Sequence, residues 1–306
     1  MNGKEASYKS SERGQALIIV ALFLLGLLAM LGLVLDGGNL YLQRRRMQNA
    51  ADAGALAGAH VLAHSGSAAE TYAAALDYAR QRNGADSCEI SIDDPIITVV
   101  AQKDTEMTFA QMVGVTQVDV RAIAEAKYAP IGAVRGLAPI AIISFPYEYE
   151  TPYTIWDDDT VEPPDPESGD IAGSMRGWLS FDCVFPDECG DAGASLLTEW
   201  MLNGYPGMRS SKLWYRGSSG VKTKPVAITQ TRVGEILYIP VYDDIVEQYP
   251  GKPYYHVVRF AAFEVTAVYA TSNPKGIEGV FKEYVAAGPP DDGGPDGGLR
   301  TIYLIK

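Results

Sequence analysis

The sequence predicts an α+β protein carried on a single amino-terminal transmembrane helix. Three observations predict it. Ala16–Leu35 is twenty residues long and carries no charge, and as a helix it would span about 30 Å, the thickness of a bilayer's hydrocarbon layer. The run after it is Ala-rich and keeps helical spacing to Ala59. Beyond residue 130 the chain turns to short β-branched and aromatic runs, with 23 of its 30 aromatic residues and 16 of its 18 prolines. The expected division is a polar cytoplasmic leader (1–15), the transmembrane helix (16–35), a helical stalk with a small α/β region (36–130) and a β-rich extracytoplasmic domain (131–306).

Charge divides the same way. The net charge is −13 over 306 residues, with 14 acids and 11 bases up to residue 130 and 24 acids and 14 bases after it. An acidic chain lacks the basic footprint that displaces counterions from phosphates, so no nucleic-acid partner is expected. Three Cys and three His exclude a disulfide scaffold or a zinc-finger array.

Ala16–Leu35 has no polar face, unlike an amphipathic core helix. It is longer than a secretory h-region, and no small-x-small cleavage site follows, so it reads as a retained anchor. Lys4, Lys9 and Arg13 on one side balance Arg44, Arg45 and Arg46 on the other, so the positive-inside count decides little. The large acidic carboxyl region with its Cys pair favours the amino terminus inside and the body outside. Past the span, Ala50, Gly54 and Gly58 share a helix face. Small residues at this spacing let backbones approach closely, either on the chain's own domain or between subunits.

These residues carry a family resemblance. Arg13–Leu17 (RGQAL), the apolar helix, Asp36 and the run Arg45–Ala59 (RRMQNAADAGALAGA) resemble the amino-terminal segment of TadG-like proteins of the Tad machinery, which builds Flp pili. The resemblance implies a single-pass protein of the cytoplasmic membrane with its body outside, whose partners are the membrane and other Tad/Flp pilus proteins. Pilin-like members are cut by a prepilin peptidase after a Gly, with a Glu five residues into the mature chain. Gly14 is the matching cleavage position, but Ile19 stands where that Glu would be, so the segment is expected to stay uncut.

In the stalk region Thr71–Arg82 reads as a helix stopped by Asn83-Gly84. Cys88–Val100 reads as one or two strands joined near Asp93-Asp94-Pro95. Met107–Met112 is a short helical turn ended by Gly114, and Gln117–Tyr128 a strand with Val118, Val120, Ala122, Ala124 and Ala126 on one face. A helix followed by a few strands is similar to the plan of pilin-like subunits. In the carboxyl region the expected strands are Pro139–Phe145, Trp178–Asp182, Ile236–Tyr242, Tyr255–Tyr269, Gly279–Val285 and Leu299–Ile305, with a helix at Ala194–Asn203. A phase slip at Ala261-Ala262 predicts a bulge. Trp156–Asp170 reads as an acidic loop and Pro289–Gly298 as a linker. Gly177–Asp182, Glu199–Gly204, Ile239–Asp243 and Arg259–Glu264 are weakly similar to a domain that often follows the Tad-like segment and has no assigned chemistry. The DxSxS run of a von Willebrand A domain is missing.

Candidate chemistry is sparse. His60 and His64 sit four apart without a third ligand, which fits a solvated helix face better than a metal site. GxSxG, GxxxxGK[ST] and GxGxxG are missing. The acids between Asp157 and Asp170 fit no Ca²⁺ loop spacing. Cys183 and Cys189 can close a small disulfide, leaving Cys88 over. Tyr153 and Trp156, beside acids, can stack on a sugar ring, although packing aromatics are commoner. The expectation is a non-enzymatic pilus-assembly component or minor pilus subunit, with no cofactor and no metal. The alternative is a cell-surface adhesin or glycan-binding module on a membrane stalk.

Overall fold

The structure, a computed structural model, describes residues 13–157, 170–171, 176–187, 189–218, 222–249 and 252–305. It is α+β, 33% helix and 42% strand. Helix α1 runs unbroken over Arg13–Ala63. Gly37 and Gly38 do not interrupt it. A Cβ at either would meet nothing within 4 Å, and an interior glycine weakens a helix by only about 1 kcal/mol against Ala.

Helix α2 (Ala68–Leu76) opens on a capping box in which Ser67 and Glu70 satisfy each other's amides. It continues as a wider π-type turn over Asp77–Arg82. Strands β1 (Ser87–Asp93) and β2 (Ile96–Glu106) form the expected hairpin about Asp94-Pro95. A 3₁₀ turn at Ala110–Val113 ends on Gly114 at φ 91°, and β3 (Gln117–Pro130) pairs back along β2. The even-numbered face of β3 turns towards α1, as its alternation predicts: Val120, Ala122, Ala124 and Ala126 are buried.

Strands β4 (Ala133–Val134), β5 (Ile140–Ile143), β6 (Pro152–Asp157), β7 (Asp170–Ile171) and β8 (Arg176–Val184) follow. Next come α3 (Ala194–Asn203), β9 (Arg209–Ser210), β10 (Leu213–Ser218) and α4 (Thr223–Ile228). The chain ends with β11 (Ile236–Tyr249), β12 (Lys252–Tyr269), β13 (Lys275–Lys282), β14 (Tyr284–Val285) and β15 (Leu299–Leu304).

The strands form two main sheets. The larger runs β10-β8-β5-β11-β12-β13-β6-β7, and β10 also pairs with β12. Those pairings close β12, β10, β8, β5 and β11 into a ring. Strand β12 makes the closure possible because its first half pairs with β10 and its second half with β13. The core around these strands holds Trp178, Phe181, Tyr215, Tyr242, Phe260 and Phe263. Gly177 and Gly217 leave room for the Tyr255 ring, which a Cβ at either position would approach to 2.6 and 2.3 Å.

The bulge lies elsewhere than expected. Register slips at Val258 against β11 and at Thr266 against β13. Phe260, Ala261, Ala262 and Phe263 are all buried, and Ala261 bridges to Gly298. The apolar run there reflects a strand covered on both faces, which periodicity alone reads as a phase slip.

The smaller sheet runs β1-β2-β3-β15-β14. Its last two strands come from the chain's end, with Arg300–Leu304 antiparallel to Ala126–Pro130. The boundary expected at residue 131 is therefore crossed: Leu299–Leu304 completes the smaller sheet, which packs on α1.

Candidate functional site: the anchor helix and its clamps

The lower part of α1 packs on almost nothing. From Leu17 to Leu35, fifteen large apolar side chains are exposed. Moving one such side chain out of water is worth about 1.5–3 kcal/mol, so the sum reaches tens of kcal/mol in favour of an apolar surrounding. This is the one candidate membrane span among the described residues.

Within Leu31–Gly38 two positions are buried, Gly32 and Asp36, one helical turn apart. Both lie under residues 108–110. The Asp36 carboxylate accepts the backbone N–H groups of Thr108 at 2.9 Å, Phe109 at 2.9 Å and Ala110 at 2.7 Å. These are the donors a helical turn leaves without intrahelical partners. A Cβ on Gly32 would stand 2.8 Å from the Phe109 Cβ, so the glycine is what lets Phe109 lie flat on the helix. Sequence reading used Asp36 only as part of a motif. Its signal was a lone carboxylate at the end of a charge-free run, where an unpaired charge is costly.

The upper part of α1 is buried against the chain's own body. Met47, Ala50, Ala51, Ala55 and Ala59 form a stripe facing Ile97, Val99 and Ala101 of β2 and the alanines of β3. An ideal Cβ on Gly54 would stand 3.0 Å from the Ala79 Cβ and 3.3 Å from a Val99 methyl, and one on Gly58 2.2 Å from the Ile97 Cδ1. Of the two alternatives for the face at Ala50, Gly54 and Gly58, the chain's own domain fills it, through α2 with its π-type turn and β2. Small residues bring the helix close to a sheet here, and the packing is intramolecular.

The end of α1 is held by Arg300 of β15. Its guanidinium donates to the Ala63 carbonyl at 2.5 Å and pairs with Asp296 at 2.7 Å and Glu283 at 2.9 Å. The side chain is 8% exposed. One cation therefore joins the helix terminus, the closing strand and the segment leaving β13. Only Asp296, four residues before it, is local in the sequence; Glu283 and the Ala63 carbonyl lie farther away in the chain.

With these contacts in place, the comparisons bear on the helix. Residues 14–61 match the Tad family model. Its description is Flp pilus-assembly TadE/G-like, and the match covers the exposed anchor and most of the packed stripe. No curated protein and no solved structure matches the chain.

The Tad-like segment begins at Gly14, in the first turn of α1, and residues 1–12 of the leader lie outside the described residues. Cys183 and Cys189 are joined as a disulfide with Cα atoms 5.7 Å apart, and Cys88 is free and half-buried. Burial in an apolar setting pushes the Cys88 thiol up, against the pull of Arg80. Of the two aromatics expected to contact a glycan, Tyr153 packs inward and Trp156 stays half-buried at the surface. Tyr153 is 5% exposed and lies edge-on to Phe281, and Trp156 stacks on Tyr269. Tyr147 stacks on Phe281 at 3.9 Å, and burial pushes its hydroxyl far up. Tyr153 is covered by Phe145 and Phe281, so it presents no face to a sugar.

The rings of His60 and His64 lie 4.5 Å apart and tilted at the end of α1, and His256 pairs with Asp243 at 2.7 Å. Among the described residues no group of three or more His, Cys, Asp or Glu could hold a metal ion. Most of the acidic loop, residues 158–169, lies outside the described residues. The linker acids are engaged: Asp291 with Lys212, Asp292 with Lys127 and Tyr303, and Asp296 with Arg300.

Proposed function

We propose that this chain is a membrane-anchored component of a Flp-type pilus assembly system that acts through protein contacts of its folded body and performs no catalysis. One observation carries the reading. The segment that matches the Tad family model is both the exposed apolar helix and the scaffold on which the first sheet is built. Cutting the helix away near Asp36 would remove the acceptor of three amides and expose the loop packed on it. That supports a retained anchor.

The amino terminus faces the cytoplasm and the body lies outside. The Cys183–Cys189 disulfide supports this side for the body, because such bonds persist in oxidising compartments. The lack of nucleophile and phosphate-loop motifs favours a structural role.

The test is disruption of the gene in its own bacterium, with pili counted by electron microscopy, together with crosslinking and mass spectrometry of the intact protein. Lost or shortened pili and crosslinks to pilus-assembly proteins are expected, with an intact mass that retains residues 1–14. Unchanged piliation with no pilus protein among the crosslinked partners overturns the reading.

A further inference from the structure

The connection between β2 and β3 descends along α1 towards its apolar half. Ile97 sits at Gly58, Val99 at Gly54, and Phe109, just past the strand, at Gly32. There the chain turns and climbs back along β3. At the turn Met112 and Val113 are each 82% exposed, and Val115 is 44% exposed. From Met107 to Val118 the sequence carries no charge. This apolar tip therefore continues the exposed apolar surface of the helix at the same level.

The backbone of the tip is prepared for a medium without water. Asp36 takes the amides of Thr108, Phe109 and Ala110. Met107 donates to Thr116, Met112 to Phe109, Gly114 to Gln111 and Val115 to Ala110. Irregular backbone surrounded by lipid is excluded from the hydrocarbon layer, so this bonding suits the tip to the shallow interfacial zone and no deeper. In water the same amides would need no such partners, and two apolar side chains at a loop tip would only cost solubility.

We propose that residues 107–116 insert into the leaflet on the body's side of the membrane as a second, shallow anchor. The proposal rests on the reading of Ala16–Leu35 as a transmembrane helix. Gly32, under Phe109, lies three residues inside the end of that span, about 4–5 Å at the helical rise, a depth typical of interfacial apolar elements. Two attachments fix what one helix leaves free: the rotation of the body about the helix axis and its tilt over the membrane.

The test uses the full chain in phosphatidylcholine vesicles at fewer than one copy per vesicle. Cysteines are placed at Met112→Cys, Leu24→Cys and Val233→Cys in a Cys88→Ser background and labelled with an environment-sensitive fluorophore. All three positions are exposed, so the fold is kept. The label at 112 is expected to be quenched by lipids carrying a nitroxide near the top of the acyl chain and to be shielded several-fold from iodide relative to 233. The label at 24 is expected to be quenched by deep nitroxides. If 112 is as open to iodide as 233 while 24 is lipid-quenched, the insertion is wrong and the anchor stands. If 24 also escapes lipid quenching, the anchor reading falls with it. Shielding at 112 from both quenchers means protein covers the tip, and this also overturns the proposal.

Discussion

The two packed regions of this protein solve the same problem with opposite materials. The membrane-proximal region packs α1 on its sheet with alanines and glycines, and its largest buried side chains are Met47 and Ile97. The outer region is filled with Trp178, Phe181, Tyr215, Tyr242, Phe260 and Phe263. The first has little volume to lose and none to gain. The second gains its stability from large rings in a closed ring of strands. Removing atoms should therefore damage the outer region, and adding atoms should damage the inner one.

The largest expected effect tests the outer half of that contrast. Phe181→Ala should cost about 3–5 kcal/mol, the usual range for an aromatic truncated in a core, read as a fall in the urea midpoint of the purified full chain in detergent. A cost below about 1 kcal/mol would mean that the ring collapses on the cavity and that its packing is loose.

Next comes the joint between the regions. Arg300→Ala leaves Glu283 and Asp296 without their cation and Ala63 without its donor, and should cost about 3 kcal/mol. The loss should shrink in acid, as the abandoned carboxylates protonate, which separates charge from packing.

Gly58→Leu probes the inner half. Its side chain has no space beside Ile97, so about 1–3 kcal/mol should be lost through overpacking. Gly37→Leu, facing open space, should cost nothing. Equal effects at the two glycines would remove the contrast.

The smallest effect concerns Asp292. Its hydrogen bonds from Lys127 and then Tyr303 hold its carboxyl below the ordinary range. A depressed folded value contributes stability above the unfolded carboxylate range, and that stability is lost as pH falls through the folded value. The group is half exposed, so Asp292→Asn should cost no more than about 1 kcal/mol at neutral pH and nothing in strong acid. A pH titration of the thermal midpoint checks it.

Much of this was legible in the chain. The anchor follows from composition. The hairpin at Asp94-Pro95 and the alternation of β3 follow from local patterns, because one face of each element is buried and the other is not. The short β6 and β10 were missed for the converse reason. In β6, Tyr153, Thr154 and Ile155 are consecutively buried, and periodicity carries no signal when both faces are covered. That Tyr153 turns inward was not legible, because an aromatic beside acids in sequence says nothing about which way the ring points.

By itself the sequence determined the long apolar helix, its Tad-like character and the change of material at residue 130, since these depend on side-chain chemistry within one stretch. Only the tertiary structure decided that the small-residue face is filled from within and that the last strand belongs to the first sheet. It alone placed Asp36 and Arg300 as clamps. Each of these depends on residues dozens to hundreds of positions apart meeting in space, and no local pattern encodes which distant partner will satisfy a buried charge.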